Sequence, residues 1–167
     1  LTLYATDTGP RLRQAWVKEI DQLEVEAHTL ANRTIEDTIN LLTNAPEKAV
    51  EARLKLQVNS ISAGISSFGI ILASAQEDYY TLGYSVAKQQ FFSDRTSAGD
   101  HSFSDKFASA IHTAPHKLEG KQMDFDIIID RSSVEVLAAD GTVALTDLVF
   151  PKMDFHKIIF FTDDGSV

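Results

Sequence analysis

The residues of this sequence whose spacing could suit a metal ion are two histidines and two aspartates. His112 and His116 are four positions apart, which would place both imidazoles on one face of a helix. Pro115 lies between them and breaks a helix, so we predict no metal site there. Asp124 and Asp126 alternate with an apolar residue and should point outward from a strand. Two carboxylates alone fall well short of the oxygen ligands that Ca²⁺ needs, so we predict neither a metal nor a cofactor.

Alternating apolar residues predict that these side chains lie on short strands. The clearest run covers residues 50–58, where apolar positions alternate with Glu51, Arg53, Lys55 and Gln57. Asp140-Gly141 predicts a tight hairpin, because Gly accepts positive φ. Residues 21–48 are acidic and irregular and are predicted to be strands interrupted by loops, with one short helical turn at Thr34–Asp37. Further strands are predicted over 68–72, 80–86, 90–94, 107–113, 125–129, 134–138, 143–149 and 156–161. A strand pair is predicted in residues 1–17, joined by a turn at Gly9-Pro10.

Many short strands separated by polar turns favour an all-β fold, a two-layer antiparallel β-sandwich. The 167 residues suffice for one core. The net charge of −9 disfavours nucleic acid or an anionic membrane as a partner, because both require a basic surface. The absence of cysteine excludes disulfides and thiolate metal sites, and no apolar run is long enough to predict a transmembrane helix.

Three stretches of the sequence carry a resemblance to one family. Asp130–Val136, the Asp140-Gly141 hairpin and Thr146–Pro151 together resemble the C-terminal β-sandwich module of glycoside hydrolase family 32. That family contains invertases, inulinases and levanases, which cleave β-fructofuranosyl bonds. Leu1–Tyr4 with Gly9–Ile20 is similar to the segment where such an enzyme leaves its catalytic propeller, although Trp16 replaces the usual Pro. A weaker match covers residues 84–86 and 91–96.

The resemblance implies that this chain has no catalytic residues. A retaining glycosidase needs two carboxylates, one on each side of the scissile bond. The family carries them in Asn-Asp-Pro-Asn-Gly and Glu-Cys motifs, with a further Asp in Arg-Asp-Pro. None of these motifs occurs here, and no Pro follows an Asp. We therefore expect a five-bladed catalytic propeller N-terminal to Leu1.

The resemblance also divides the chain. Residues 1–20 should be the end of the propeller and a linker, and residues 21–167 the C-terminal β-sandwich module. Asp163–Val167 has the composition of a turn, and in the family a further strand usually follows. The lack of that strand would leave one sheet edge unpaired.

Aromatic rings are the usual platforms for sugar rings. Most of those in this sequence alternate along predicted strands and are expected in the core. Trp16 and Arg11 are expected to form a domain interface, and the turn residues Glu77, Asp78 and Tyr79 are the candidates for a substrate-binding rim. The aromatic residues considered were Trp16, Tyr79, Tyr80, Tyr84, Phe91 and Phe92.

Three short polar motifs have simpler interpretations. Asp94-Arg95 and Asp130-Arg131 are predicted to cap turns, because Asp accepts hydrogen bonds from nearby backbone amides. Asn32-Arg33-Thr34 matches the acceptor pattern for N-glycosylation, which matters only in a secreting eukaryotic host.

These observations lead to one functional hypothesis and its alternatives. The first is a non-catalytic C-terminal module of a secreted β-fructofuranosidase-type hydrolase that acts on sucrose or on fructans such as inulin and levan. It would stabilise the propeller, and could contribute to a homodimer or to the rim of the substrate cleft. The alternative is a free-standing, lectin-like β-sandwich that binds fructan. A remoter one is an unrelated adhesion or scaffold domain.

Overall fold

The computed structural model describes residues 1–6, 9–23, 25–31, 33–45 and 48–163. Within these ranges the regular secondary structure consists of strands, apart from one short 3₁₀ helix. The strands are β1 Thr2–Thr6, β2 Gly9–Arg13, β3 Thr38–Thr43, β4 Ala52–Val58, β5 Ser67–Ala73, β6 Tyr79–Ser85, β7 Gln90–Asp94, β8 His112–Pro115, β9 Met123–Ile129, β10 Ser133–Ala138, β11 Val143–Leu148 and β12 Lys157–Asp163.

The strands form two stacked antiparallel sheets and one separate hairpin. The smaller sheet has the order β11-β10-β9-β4, the larger β3-β12-β5-β6-β7-β8, and β1 pairs only with β2. The ring of Phe125 on β9 contacts two rings of the larger sheet, Phe68 at 6.3 Å and Phe91 at 5.4 Å between centroids. The predicted all-β, two-layer antiparallel sandwich is confirmed.

The core lies between the two sheets and follows from alternation along the strands. On β9, for example, Met123, Phe125, Ile127 and Ile129 are buried while the residues between them are half-buried. Burying a side chain of this size contributes about 1.5–3 kcal/mol. The largest fully buried side chains come from both sheets and the loops that join them: Tyr80, Tyr84, Phe68, Phe91, Ile70, Leu72, Leu82, Ile127, Val50, Val134, Val136 and Val149.

The hairpin predicted at Asp140-Gly141 is present, with a loop longer than a two-residue turn. Ala138 pairs with Val143, so the loop comprises Ala139–Thr142. Ala139, Asp140 and Gly141 all have positive φ, of 50°, 55° and 75°. The loop closes through a hydrogen bond from the amide of Thr142 to the carbonyl of Ala139, at 3.1 Å.

Three local predictions were wrong. Gly9 and Pro10, expected to form the turn of the N-terminal strand pair, lie in β2, where they pair with Thr6 and Ala5. The helical turn expected at Thr34–Asp37 is absent, and a bend at residues 36–37 leads into β3. The strand expected over 107–113 is mostly turn, and β8 begins only at His112. Here the rings of Phe103 and Phe107 fold against Phe150, with centroids 5.7 and 5.4 Å from it, so distant contacts override the local pattern.

A short 3₁₀ helix, Lys18–Leu23, was not foreseen. It is the only helix in the described part of the chain. No helix there is long or apolar enough to cross a bilayer.

Candidate interdomain surface

The N-terminal strap, residues 13–23, crosses the outer face of the smaller sheet. Strap and sheet enclose a groove of about 470 Å³. Asp124 and Asp126 line the sheet side of the groove because they lie between inward-facing residues of β9 and therefore point outward. The groove is lined by residues of both parts: Arg13, Gln14, Ala15, Trp16, Val17, Lys18 and Asp21 from the strap, and Arg53, Asp124, Asp126, Leu137, Asp140 and Gly141 from the sheet and its hairpin.

One end of the strap is attached to the Ala139–Thr142 loop. The amide of Gln14 donates to the carbonyl of Gly141 at 2.8 Å, and Arg13 Nε donates to the carbonyl of Asp140 at 2.7 Å. The guanidinium of Arg13 also forms an ion pair with the Asp140 carboxylate. Strand β9 supports the loop from below, since the amide of Asp140 donates to both carboxylate oxygens of Asp124 at 3.1 Å. Burial raises the pKa of Asp124.

The other end of the strap is attached through Arg53 on β4. Arg53 donates from Nε and Nη2 to the two carboxylate oxygens of Asp126, at 2.8 and 2.7 Å, in a bidentate pair. Its Nη1 donates to Asp21 in the 3₁₀ helix. The hydrogen bonds that Arg53 donates, above all those to Asp126, raise its pKa. One guanidinium thus joins sheet and strap, a geometry that suits Arg better than Lys.

Apolar contact contributes between the two ends. Leu137 points outward on β10, because its neighbours Val136 and Ala138 face the core, yet only 7% of it is exposed. Trp16 lines the same groove and is itself partly buried. Its indole Nε1 is buried with no hydrogen-bond partner among the described residues. The predicted interface residue therefore packs on its own module.

The N-terminal region carries many exposed apolar side chains. Among the described residues, those with high exposed fractions here are Leu1 86%, Leu3 67%, Leu12 56%, Val17 63%, Leu23 76% and Val25 99%. Arg11, the second predicted interface residue, is exposed on β2 opposite Tyr4. A surface of this kind typically marks an interaction site.

The predicted rim residues do not share one environment. Asp78 is buried, and its Oδ2 accepts a hydrogen bond from the amide of Lys152 at 2.7 Å. Its role here is to tie two loops together. Glu77 and Tyr79 are exposed on either side of it, and their contribution to a substrate rim stays a prediction.

A buried carboxylate cluster, which the sequence analysis missed, lies between the sheets. Asp147 on β11 accepts hydrogen bonds from Tyr80 Oη at 3.0 Å and Ser93 Oγ at 2.5 Å, and its Oδ1 lies 2.7 Å from His112 Nδ1. Arg95 Nε is 3.7 Å from the same carboxylate. Burial, followed by the charge of Asp147, raises the pKa of Tyr80.

This Asp147 cluster combines Ser, His and Asp but lacks the geometry of a catalytic triad. In a triad the His takes the proton of the Ser hydroxyl, and the Asp orients the His. Here the side chains of Ser93 and His112 both bind the carboxylate, no hydrogen bond joins these two side chains within the described ranges, and Ser93 is fully buried. The Asp147 carboxylate is a hydrogen-bonded polar element of the core, whereas the neighbouring Arg95 Nε is buried with no hydrogen-bond partner among the described residues. Asp147 could have drawn attention, because it stands at an inward position of a strand.

The other candidates have mainly structural settings. Tyr80, Tyr84 and Phe91 are buried in the core as predicted, while Phe92 is only partly buried. Asp94 and Asp130 accept hydrogen bonds from the amides of Thr96 and Arg131, at 2.9 and 2.7 Å, which confirms the predicted turn caps.

The remaining site predictions concern metals and glycosylation. The His116 ring packs 5.4 Å from Phe91 between centroids, and burial lowers its pKa. Within the described residues, no group of three or more His, Cys, Asp or Glu is arranged to hold a metal. Asn32 lies outside the described residues.

Comparison with known proteins gives a consistent result. The sequence model described as Glycosyl hydrolases family 32 C terminal matches residues 19–167. A levanase from Bacillus sp. (strain L7) is 33% identical over the whole chain, which covers 18% of that enzyme. An extracellular exo-inulinase from Aspergillus niger is 40% identical over 76% of the chain and 24% of the enzyme. The chain thus spans about a fifth of the length of these curated relatives.

Solved structures agree with the sequence comparison. The exo-inulinase from Aspergillus awamori superposes with a TM-score of 0.71 at 27% identity, over 96% of this chain and 32% of that one. Sucrose-6-phosphate hydrolase from Lactobacillus gasseri shares the fold, with a TM-score of 0.60 at 19% identity over 95% of this chain and 30% of that one. The chain belongs to glycosyl hydrolase family 32 and corresponds to the C-terminal domain of that family.

Proposed function

We propose that this domain is the non-catalytic C-terminal module of a β-fructofuranosidase-type glycoside hydrolase, and that it stabilises a catalytic propeller encoded upstream. Its own surface performs no hydrolysis. The single observation that carries the proposal is the exposed apolar surface of the N-terminal region, with Leu1, Leu23 and Val25 at 76–99% exposure. Covering such side chains with a second domain removes apolar surface from water and lowers the free energy.

The Asp147 cluster supports the non-catalytic part of the proposal. Its Ser and His are both hydrogen-bonded to the carboxylate, and Ser93 is fully buried, so neither is set up as a nucleophile. Hydrolysis would then depend on carboxylates in the upstream domain.

The relatives support a proposal for the substrate class and location of the parent enzyme. They include levanases and extracellular exo-inulinases, which favours sucrose or a fructan such as levan or inulin as substrate and secretion of the parent enzyme. Glu77 and Tyr79 are the residues that we assign to a substrate-cleft rim. A homodimer contact is a further role that the exposed apolar surface could serve.

The proposal is tested by separating the two domains. The purified 167-residue chain, incubated with sucrose, inulin and levan, should release no fructose. The full gene product should be active, and a version that ends before Leu1 should unfold at a midpoint about 4 °C or more lower. Fructose release by the chain alone, or an unchanged midpoint, would contradict the proposal. Tight fructan binding by the chain alone would instead favour the lectin-like alternative.

A further inference from the structure

The Ala139–Thr142 loop has a backbone shape that lets the strap approach it closely. Gly141 adopts a φ of 75°, and a Cβ added there would collide with the backbone oxygen of Gln14 and lie 3.3 Å from its nitrogen. Glycine at this position therefore permits a close backbone approach as well as a left-handed conformation. The strap amide uses that approach to reach the carbonyl of Gly141.

Charged groups reinforce the same contact from both sides. Arg13 binds both the carbonyl and the carboxylate of Asp140. The amide of Asp140 donates to both carboxylate oxygens of Asp124, so the loop is fixed to β9 as well as to the strap. Three separated parts of the sequence thus converge on a single joint.

We propose that this joint, defined as Arg13 and Gln14 with Asp124, Asp140 and Gly141, is a clasp that fixes the direction in which the chain enters the sandwich and so orients the upstream domain. The orienting role rests on the proposed function, whereas the clasp itself does not. The chain leaves the β1–β2 hairpin at Arg13, the last residue of β2, and the amide of the next residue, Gln14, is hydrogen-bonded to the loop. The direction of the chain is therefore fixed directly after the hairpin. A hairpin held at its last residue has little freedom to swing.

Glycine substitutions offer a matched test in the 167-residue chain. Gly141→Ala introduces the collision with Gln14. Gly120→Ala is the control, because Gly120 has a similar φ of 82° but nothing within 4 Å of an added Cβ. Both variants bear the same backbone strain, so their difference reports the clasp. Arg13→Gln is a second variant that leaves the loop backbone unchanged.

The readouts are local to the strap. Trp16 is the only tryptophan of the chain, so its fluorescence and its quenching by acrylamide report strap docking. Hydrogen exchange of the Gln14 amide reports the bond to Gly141 directly. We expect red-shifted emission and about tenfold faster exchange in Gly141→Ala, a smaller change in Arg13→Gln, and wild-type behaviour in Gly120→Ala. Equal values for Gly141→Ala and Gly120→Ala would overturn the clasp, whatever lies upstream.

The orienting role is tested in the full gene product. Small-angle X-ray scattering should show a broader distribution of interdomain distances for Gly141→Ala than for Gly120→Ala. An unchanged distribution, with the strap released in the isolated chain, would overturn the orienting role. Failure of the proposed function would look different, because the wild-type gene product itself would then lack fructose-releasing activity.

Discussion

The sandwich core and the N-terminal region use the same apolar residue types in opposite ways. Leu82 on β6 is fully buried, whereas 76% of Leu23 at the end of the strap is exposed. The difference lies in what surrounds them: two sheets close over Leu82, and only one sheet face lies beneath the strap. The core side chains are therefore buried between the two sheets, while the N-terminal region retains exposed apolar surface that a second domain could cover.

The largest expected difference is between Leu-to-Ala substitutions in the core and in the N-terminal region. Leu82→Ala should lower the free energy of unfolding by about 2–5 kcal/mol, because it leaves a cavity between the sheets. Leu23→Ala in the isolated chain should change it by less than about 0.5 kcal/mol. Urea denaturation of both variants measures the difference. Similar losses would mean that the N-terminal region is already packed as tightly as the core.

The Asp147 cluster should rank next. Asp147→Ala removes the acceptor for Tyr80 and Ser93 and leaves two buried hydroxyls without a partner, at a cost of about 3 kcal/mol. Asp105→Ala, at an exposed turn position, is the control and should be nearly neutral. Thermal unfolding followed by circular dichroism compares them. A neutral Asp147→Ala would show that these hydrogen bonds do not support the core.

Arg53 should matter less, because its pairs lie on the outer face. Arg53→Gln breaks the pairs with Asp126 and Asp21 and should cost about 1 kcal/mol or less, decreasing at high salt. Its clearer consequence is local, since the 3₁₀ helix Lys18–Leu23 loses its connection to the sheet. Hydrogen exchange should accelerate there and stay unchanged in β5 and β6. Acceleration throughout the larger sheet would contradict an outer-face role.

The smallest expected effect is a pH dependence from His116. Burial lowers its pKa below the usual 6.5, although Glu119 and Asp124 oppose the shift. The unfolded chain therefore binds more protons at this residue than the folded chain does. The contribution of His116 to the free energy of unfolding is complete above about pH 6.5 and is lost as the pH falls through the lowered pKa. In His116→Phe, the midpoint of unfolding should depend less on pH between pH 7 and 5 than in the wild type. An identical slope in wild type and variant would exclude His116 as its source.

Much of the sandwich could be predicted from local patterns. Alternation identified β4, β9 and β10 because one face of each packs on the core, and Asp140-Gly141 identified the hairpin because positive φ restricts residue choice. The strand expected over 107–113 failed because Phe103 and Phe107 pack against Phe150, more than 40 positions along the chain. A local window contains no such information.

The candidate surface was only partly predictable for the same reason. Trp16 was singled out from its place near the start of the chain, but its partners were not. Arg53 meets Asp21 and Asp126 across 32 and 73 positions, and Asp147 meets Tyr80 across 67. Outward acidic positions on β9 were visible in the alternation, yet the residues that reach them depend on how the strap crosses the sheet.

The central claim is that the N-terminal apolar surface is covered by an upstream domain. Hydrogen–deuterium exchange of residues 1–6 and 9–23, compared between the 167-residue chain and the full gene product, tests it most directly. We predict slower exchange in the full protein for these residues and unchanged exchange in β5, β6 and β9. Equal exchange of the N-terminal residues in both proteins would contradict the account.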